Sequence, residues 1–431
     1  MLPRFTLMNT LMVLVFLLGL SPGSHGAGFG NTQPVGGSGK TQAAGGFGNA
    51  VSTWDNIYGQ GGYTHVESLI VSRTGGYVTA GAVGRGAALQ MAGVADKQIQ
   101  VTRIDTGGSY VWVKSYTPFG VKLRGEARRL AEDADGNIFI AGDLGEHGNK
   151  SRPETRDVFV MKVSPQGEQI WARKYGGPEA NIVYALAIAN DGGVLLLGNK
   201  GQGKERQTWL FKLNAEGEFL GESLFPEYHV ANVLQVQDDG MLLAGVGLLK
   251  VDHNGNEVAR YDNFPGSVAH MLPVEGGYLI AGSATRGDRY PAWVGKTDPQ
   301  GKLIWSKTYD FKKQKLAAVS AVASDDTGIY LAGSQKLTFG DHSVAFVMKT
   351  DLEGNPLWKK LLSGTKLGAR FTEIVSTADG GLLAGGITDE DFTMNNGNAR
   401  FFGKALLIKF DREGQSILLK DENLKQVKIW N

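Results

Sequence analysis

The sequence predicts an all-β fold: a seven-bladed β-propeller of four-stranded antiparallel blades, its ring closed by pairing strands from the N- and C-terminal ends of the chain. Three observations carry the prediction. One phrase recurs along the chain, an Asp-like residue, two variable positions, Gly, three variable positions and usually Trp. Its copies are spaced by about 38 to 60 residues, which brackets the length of a four-stranded blade. The 62 glycines among 431 residues require many tight turns, and many turns mean many short strands.

The phrase is complete at Asp105–Gly108–Trp112, Ser164–Gly167–Trp171, Asp298–Gly301–Trp305 and Asp351–Gly354–Trp358. Degenerate copies run from Asn214 to Gly221, Asp252 to Ala259 and Asp411 to Leu418, and Trp54 supplies one more Trp-position strand ahead of the first full unit. Within each unit a mixed apolar first strand ends at a Gly turn such as Asp135-Gly136 or Asp191-Gly192, as a tight hairpin demands. The second strand ends in Ala-Gly or its equivalent (Gly81, Gly142, Gly198, Gly245, Gly282, Gly333, Gly386), where small residues are expected to let blades approach closely. The third strand is nearly continuous in apolar residues, as in Val158–Met161 and Ala405–Ile408, the pattern of a strand covered on both faces. The fourth carries Trp with Tyr four positions on, on one strand face (Trp54/Tyr58, Trp112/Tyr116, Trp171/Tyr175, Trp305/Tyr309). Seven units own three strands, but there are eight fourth-strand candidates. Either the segment at Trp54 or the one from Ser416 to Asn423 therefore completes the last blade and removes the open edge.

Composition narrows the function classes. Lys plus Arg (44) nearly cancels Asp plus Glu (43), so no bulk field exists to hold nucleic acid. The absence of cysteine excludes disulfides, thiolate nucleophiles and Cys-ligated metals. At the N-terminus, Arg4, the apolar run Leu11–Leu20 and the small residues around Ser24-His25-Gly26 read as a signal peptide over residues 1–26. The apolar run is about half the roughly 20 residues that span a bilayer, so no transmembrane segment is expected after cleavage. Residues 27–52 read as a Gly-rich linker, 53–424 as the propeller and 425–431 as a C-terminal tail. The expected protein is a periplasmic or secreted monomer of the bacterial envelope or exterior.

These repeats resemble the bacterial β-propeller repeat families, in particular the quinoprotein-like repeat, whose third and fourth strands meet at an Asp-containing Gly turn leading to a docking Trp. The resemblance covers about Trp54 to Leu424 and implies architecture, because such folds host many functions. Quinoprotein dehydrogenases of this shape commonly carry an adjacent cysteine pair that this chain lacks. The Asp-to-Trp interval is longer than in the sialidase Asp-box.

A basic residue precedes every Asp-like turn residue by two positions: Arg103, Lys162, Lys212, Lys250, Lys296, Lys349 and Lys409. Being required in every unit, it reads as a fold residue, its stem between blades and its head paired at the rim. The Trp positions (Trp54, Trp112, Trp171, Trp305, Trp358) read likewise as core between blades. Histidine is not repeated. His65 and His229 begin the first strands of units one and four, and His270 lies further along that of unit five, so all three are candidates for the channel mouth as metal ligands or general bases. Arg128, Arg370, Glu373 and Asn232 sit at comparable places and would form a polar plug. The connections between second and third strands are long in units one (83–98), two (143–156) and seven (387–402), which are neighbours in a closed ring. They are expected to raise a loop crown for binding a protein or glycan partner, with Arg85, Glu146, Asp389, Asp391, Asn395 and Asn396 as candidate contacts. Asp389, Glu390, Asp391, Asn395 and Asn396 offer oxygen ligands for calcium but no EF-hand register, and no other cofactor is expected. The favoured reading is a non-enzymatic scaffold. The alternative is a propeller lyase or hydrolase working around His65, His229 and His270.

Overall fold

The computed structural model describes residues 42–43, 52–58, 62–85, 89–90, 97–120, 123–146, 156–177, 181–201, 205–226, 228, 233–311, 314–338, 341–362, 367–395, 398–416, 418–422 and 427–430. They form seven antiparallel blades in a ring and, among the described residues, no α-helix. Blade 1 runs inner to outer through Ser68–Val71, Tyr77–Arg85, Lys97–Ile104 and Tyr110–Tyr116. Blades 2 to 6 repeat this order, from Leu123–Glu132 to Gln169–Tyr175, Asn181–Ile188 to Phe219–Phe225, Val233–Gln237 to Glu257–Tyr261, Gly266–Val274 to Leu303–Phe311 and Leu316–Asp325 to Pro356–Leu362.

Blade 7 takes three strands from the end of the chain, Gly368–Ser376, Leu382–Asn395 and Asn398–Phe410, and its outermost from the beginning, Ser52–Tyr58. Trp54 pairs with Lys409 in the same register by which Trp112 pairs with Arg103 and Trp171 with Lys162. The N-terminal segment is thus the closing strand. The C-terminal segment goes elsewhere: Leu419–Asp421 adds a fifth strand to blade 6 and Val427–Trp430 a fifth to blade 5. Paired structure therefore extends past residue 424, into the stretch read from sequence as a tail. It also reaches into the linker, where Gln42 and Ala43 pair with Thr53 and Ser52.

Seven clusters of buried apolar side chains hold the ring, each shared by two adjacent blades. Burial at about 25 cal/mol per Å² of apolar surface makes these seams the main source of stability. At the outer rim a second device repeats. Where the Asp-x-x-Gly turn links third and fourth strands, the Asp-like side chain accepts backbone N–H groups two and four residues on, as Asp252 does from Asn254 and Asn256. The glycine adopts a positive φ, for example +77° at Gly167 and +81° at Gly354. Each such turn lies against the preceding blade. A Cβ on Gly108, Gly167, Gly217, Gly354 or Gly414 would fall 2.6 to 3.2 Å from the ring of Trp54, Trp112, Trp171, Trp305 or Trp358. The tyrosine four positions on completes the lock: Tyr116, Tyr175 and Tyr309 donate to the carbonyls of Gly167, Gly217 and Gly354 at 2.8, 2.5 and 2.7 Å.

In six of the repeats the basic residue reaches the turn between first and second strands of its own blade. Lys162, Lys212, Lys250 and Lys409 pair with Asp133, Asp191, Asp239 and Asp379 at 2.6 to 3.1 Å. Lys349 and Arg103 instead reach hydroxyls, of Thr327 and of Ser72 and Thr74.

The repeated glycine does not end the second strand as expected: in six blades the strand pairs on beyond it, and only Gly245 of blade 4 stands at a strand end. In those six blades the glycine also has a different cause from the one expected. A Cβ there would lie 1.9 to 2.1 Å from a backbone carbonyl of the same blade's inner strand: His65 for Gly81, Glu126 for Gly142, Ile182 for Gly198, Ser267 for Gly282, Ala318 for Gly333 and Arg370 for Gly386. The inner strand is bulged there, with one extra residue opposite the glycine (Arg128, Tyr184, Ala269, Ser320, Thr372), and the bulge presses its carbonyl onto the second strand.

Candidate functional site

The bulge shapes the hub of the ring. Inner strands line the channel, and each bulge sets two consecutive residues of the inner strand against one of the second. The residues around the bulge are Glu126, Arg128 and Arg129 in blade 2, Ser267, Ala269 and His270 in blade 5, and Arg370, Thr372 and Glu373 in blade 7; His65, Glu67 and Ser68 stand at the corresponding places of blade 1, where His65 O faces Gly81. Blade 6 offers only Ala318, Ser320 and Ala321. Among the described residues the charged groups therefore concentrate on blades 7, 1 and 2, with His270 arriving from blade 5.

His65 is buried, and its Nε2 lies 3.2 Å from Glu126 Oε1 and 3.7 Å from Glu67 Oε2, so it bridges blades 1 and 2. Beside it Arg128 forms an ion pair with Asp143, whose other oxygen accepts the backbone N–H of Val183 in blade 3 at 3.1 Å. Burial works against the Arg128 charge, but Asp143, Glu126 and Glu67 more than offset it, and its pKa is raised.

His270 is held differently. Its Nδ1 accepts the backbone N–H of Val322 in blade 6 at 3.4 Å, and its Nε2 lies 3.7 Å from Glu373 Oε2. Ser68, at the equivalent position of blade 1, accepts from Leu130 N–H of blade 2 at 3.2 Å, so both side chains staple their blade to the next. Burial, helped by the nearby Arg129 guanidinium, lowers the His270 pKa to about 4. Burial raises Glu373 to about 7; Arg129 pulls it back and Glu67 pushes it further up. Groups from blades 1, 2, 5 and 7 thus act on one another across the channel. Near neutral pH the imidazole of His270 is uncharged, and its acceptor nitrogen is engaged by the backbone.

Two of the three sequence-predicted histidines, His65 and His270, enter this network through different carboxylates; His229 lies outside the described residues. Among the described residues no group of three or more His, Asp or Glu is placed to hold a metal ion. Of the expected polar plug, Arg128 and Glu373 are present as described and Asn232 lies outside the described residues. Glu67, Glu126, Arg129 and Asp143 escaped the sequence reading. The signal that could have found them is the second-strand glycine, which marks the bulge opposite.

The crown is not made of loops throughout. In blade 7 the expected loop at 387–402 is a β-hairpin, because the second and third strands continue to pair up to Asn395↔Asn398. Asn396 and Gly397, between the paired ends, lie outside the described residues. Leu89–Gln90 of blade 1 pairs with the hairpin at Ala399 and Asn398, and Tyr63 forms a parallel bridge to Gly403, so the two connections join blades 7 and 1. Asp391 stands opposite Phe402 in the hairpin, Glu146 ends its strand opposite Leu123, and Arg85 ends its strand opposite Gly62. Their side chains, with those of Asp389 and Asn395, and all of Asn396, lie outside the described residues.

No family model matches the chain, and no curated protein matches it. The chain is similar to a solved protein of unknown function from Dyadobacter fermentans DSM 18053, at 11% identity over 83% of this chain and 98% of that one, with a TM-score of 0.46. It is also similar to a protein of unknown function from Bacteroides caccae, at 14% identity over 63% of this chain and 93% of that one, with a TM-score of 0.39.

Proposed function

We propose that this chain is an exported binding scaffold without catalysis of its own, and that its working surface is the crown where the blade 7 hairpin crosses to blade 1. The observation that carries the reading is the pairing of Asn398 and Ala399 with Gln90 and Leu89, because it turns two long connections into one braced platform on a rigid ring. Export rests on the leader-like residues 1–26, and the partner is a protein or glycan met outside the cytoplasm. The engagement of His270 Nδ1 by the Val322 N–H weighs against the rival lyase or hydrolase reading, since it removes the basic nitrogen a catalyst would use.

The test immobilises the mature chain and measures retention of extracellular proteins and glycans. Replacing 391–402 by a two-residue turn is expected to weaken retention at least about tenfold at unchanged melting temperature, whereas His65→Gln/His270→Gln leaves it intact. The opposite pattern, with turnover of a retained glycan that the histidine variant abolishes, establishes the enzyme.

A further inference from the structure

The C-terminal segment carries a turn that its own course does not use. Asp411 accepts the backbone N–H groups of Glu413 and Gln415 at 3.1 and 2.7 Å, and Gly414, at φ +71°, lies against Trp358 of blade 6. In every other blade this same turn sends the chain back along the strand it has just left, to become the outermost strand. After Phe410 that course would place Leu418 opposite Lys409, where Trp54 now stands. The chain instead leaves blade 7 and crosses backwards, pairing Leu419 with Leu362 on blade 6 and Val427 with Phe311 on blade 5.

Side-chain chemistry explains which strand holds the position. The N-terminal strand offers Trp54, 3% exposed, whose indole donates to Thr106 O, and Asn56, whose amide donates to Gly108 O at 2.7 Å. Both bonds reach blade 1, so this strand also seals the last seam. The C-terminal segment has Leu418 at the Trp position and Glu422 at the Tyr position, and neither can make the indole or phenol bond of the lock.

We propose that the outer position of blade 7 is a strand-acceptor site with two rival occupants in this chain, and that the C-terminal segment is the displaced one. It lies parked on blades 6 and 5 and takes the position when the N-terminal strand leaves. Its parking contacts are few, and its departure leaves the buried ammonium of Lys359 without its carboxylate, a cost the exchange has to meet. Lys360 pairs with Asp421 at 3.1 Å and Lys359 with Glu422 at 2.5 Å, and three residues pair on blade 6 and four on blade 5. Loop closure favours the C-terminal occupant early in folding, since it closes a four-residue turn while the N-terminal strand must close nearly the whole chain. The closing strand therefore arrives by exchange, and Ser52–Tyr58 with the segment ahead of it can be released without leaving blade 7 open.

The test uses the full chain in four forms: unaltered, Trp54→Ala/Asn56→Pro, the same with Leu418→Trp, and Leu418→Trp alone. Hydrogen exchange is read over 52–58, 418–422 and 427–430, together with the melting temperature. Weakening the N-terminal strand is expected to speed exchange at 427–430 by on the order of 100-fold, while the blade 7 amides of Ala405–Phe410 stay protected. Adding Leu418→Trp should recover at least half of the lost melting temperature, whereas Leu418→Trp alone should not raise it. The proposal is overturned if 427–430 stays protected on blade 5, or if Leu418→Trp fails to restore a weakened chain, including one that has lost its fold. It is equally overturned if Leu418→Trp stabilises the unaltered chain as much as the weakened one.

Discussion

At the rim of the ring five of seven seams repeat one lock, a tryptophan and a glycine turn of the next blade, whereas at the hub hardly any polar group recurs from blade to blade. The two seams that lack the tryptophan show how far the rim depends on it. Between blades 3 and 4, Gly255 meets Ser223 instead of a ring, and Tyr228 takes over by donating to Leu243 O and Gly247 O. Between blades 4 and 5, Gly301 meets Leu242, Leu248 and Tyr261. Repetition at the rim marks what every blade needs in order to pack. At the hub the departures (His65, Glu126, Arg128 and Asp143 around blades 1 and 2, His270 and Glu373 across the channel) mark where this ring differs from a generic one.

The sharpest way to break the rim is Trp54→Ala. It removes a buried indole from the one lock whose strand also closes the ring, and a loss of about 3 to 5 kcal/mol is expected. Trp112, which is partly exposed and closes nothing, should cost clearly less on the same change. Chemical denaturation of the two variants side by side checks the ranking. Equal losses would mean that the closing strand is no more critical than any other.

At the hub the expected effect depends on pH. Glu373, displaced from an ordinary 4.5 to about 7, binds its proton more tightly when folded, so its contribution is fully present below pH 4.5 and lost as pH rises through 7. His270, displaced from 6.5 to about 4, behaves oppositely: its contribution is present above pH 6.5 and lost as pH falls through 4. Each spans on the order of 3 kcal/mol at most between its two ends. Acidification from pH 7 to pH 4 therefore engages opposed effects that nearly cancel. Glu373→Gln removes one of them. The variant should be more stable than the parent at pH 8 and should lose stability between pH 6.5 and 4, where these two groups hold the parent nearly level. Melting curves across that range decide it, and parallel profiles for variant and parent would show that the two groups do not titrate as their burial implies.

How much of this was legible in the sequence follows from the same contrast. The blade count and strand order were readable because each repeat needs a glycine at positive φ and a ring to cover it, and both leave letters behind. Which terminus closes the ring was not, since Ser416–Asn423 follows the Asp411–Gly414 turn that elsewhere leads into a fourth strand and Trp54 keeps the ring that finishes one. The hub was half legible. Counting by twos along an inner strand fails by one residue at the bulge, where Arg128 is the extra residue between Ala127 and Arg129, so the face of every residue beyond it is misassigned. The glycines opposite the bulge are visible in the sequence, where a small residue by itself points to close packing between blades. Only the carbonyl of the facing strand, 1.9 Å from where a Cβ would stand at Gly142, gives the cause.

The smallest expected effect tests the phenol of the lock by itself. Tyr309 is buried, its pKa is raised by burial and by the nearby Asp351, and its hydroxyl donates to Gly354 O at 2.7 Å. Tyr309→Phe keeps the ring in place and leaves that carbonyl without its donor, so the cost should be about 1 to 2 kcal/mol. The same change at Tyr175, which is only partly buried although its bond to Gly217 O is shorter, should cost less, because water can replace the lost donor. Thermal melts of the two Phe variants separate the alternatives. If Tyr175→Phe costs as much as Tyr309→Phe, the hydrogen bond itself sets the energy of the lock; if it costs less, burial does, and the locks around this rim differ in strength despite sharing one geometry.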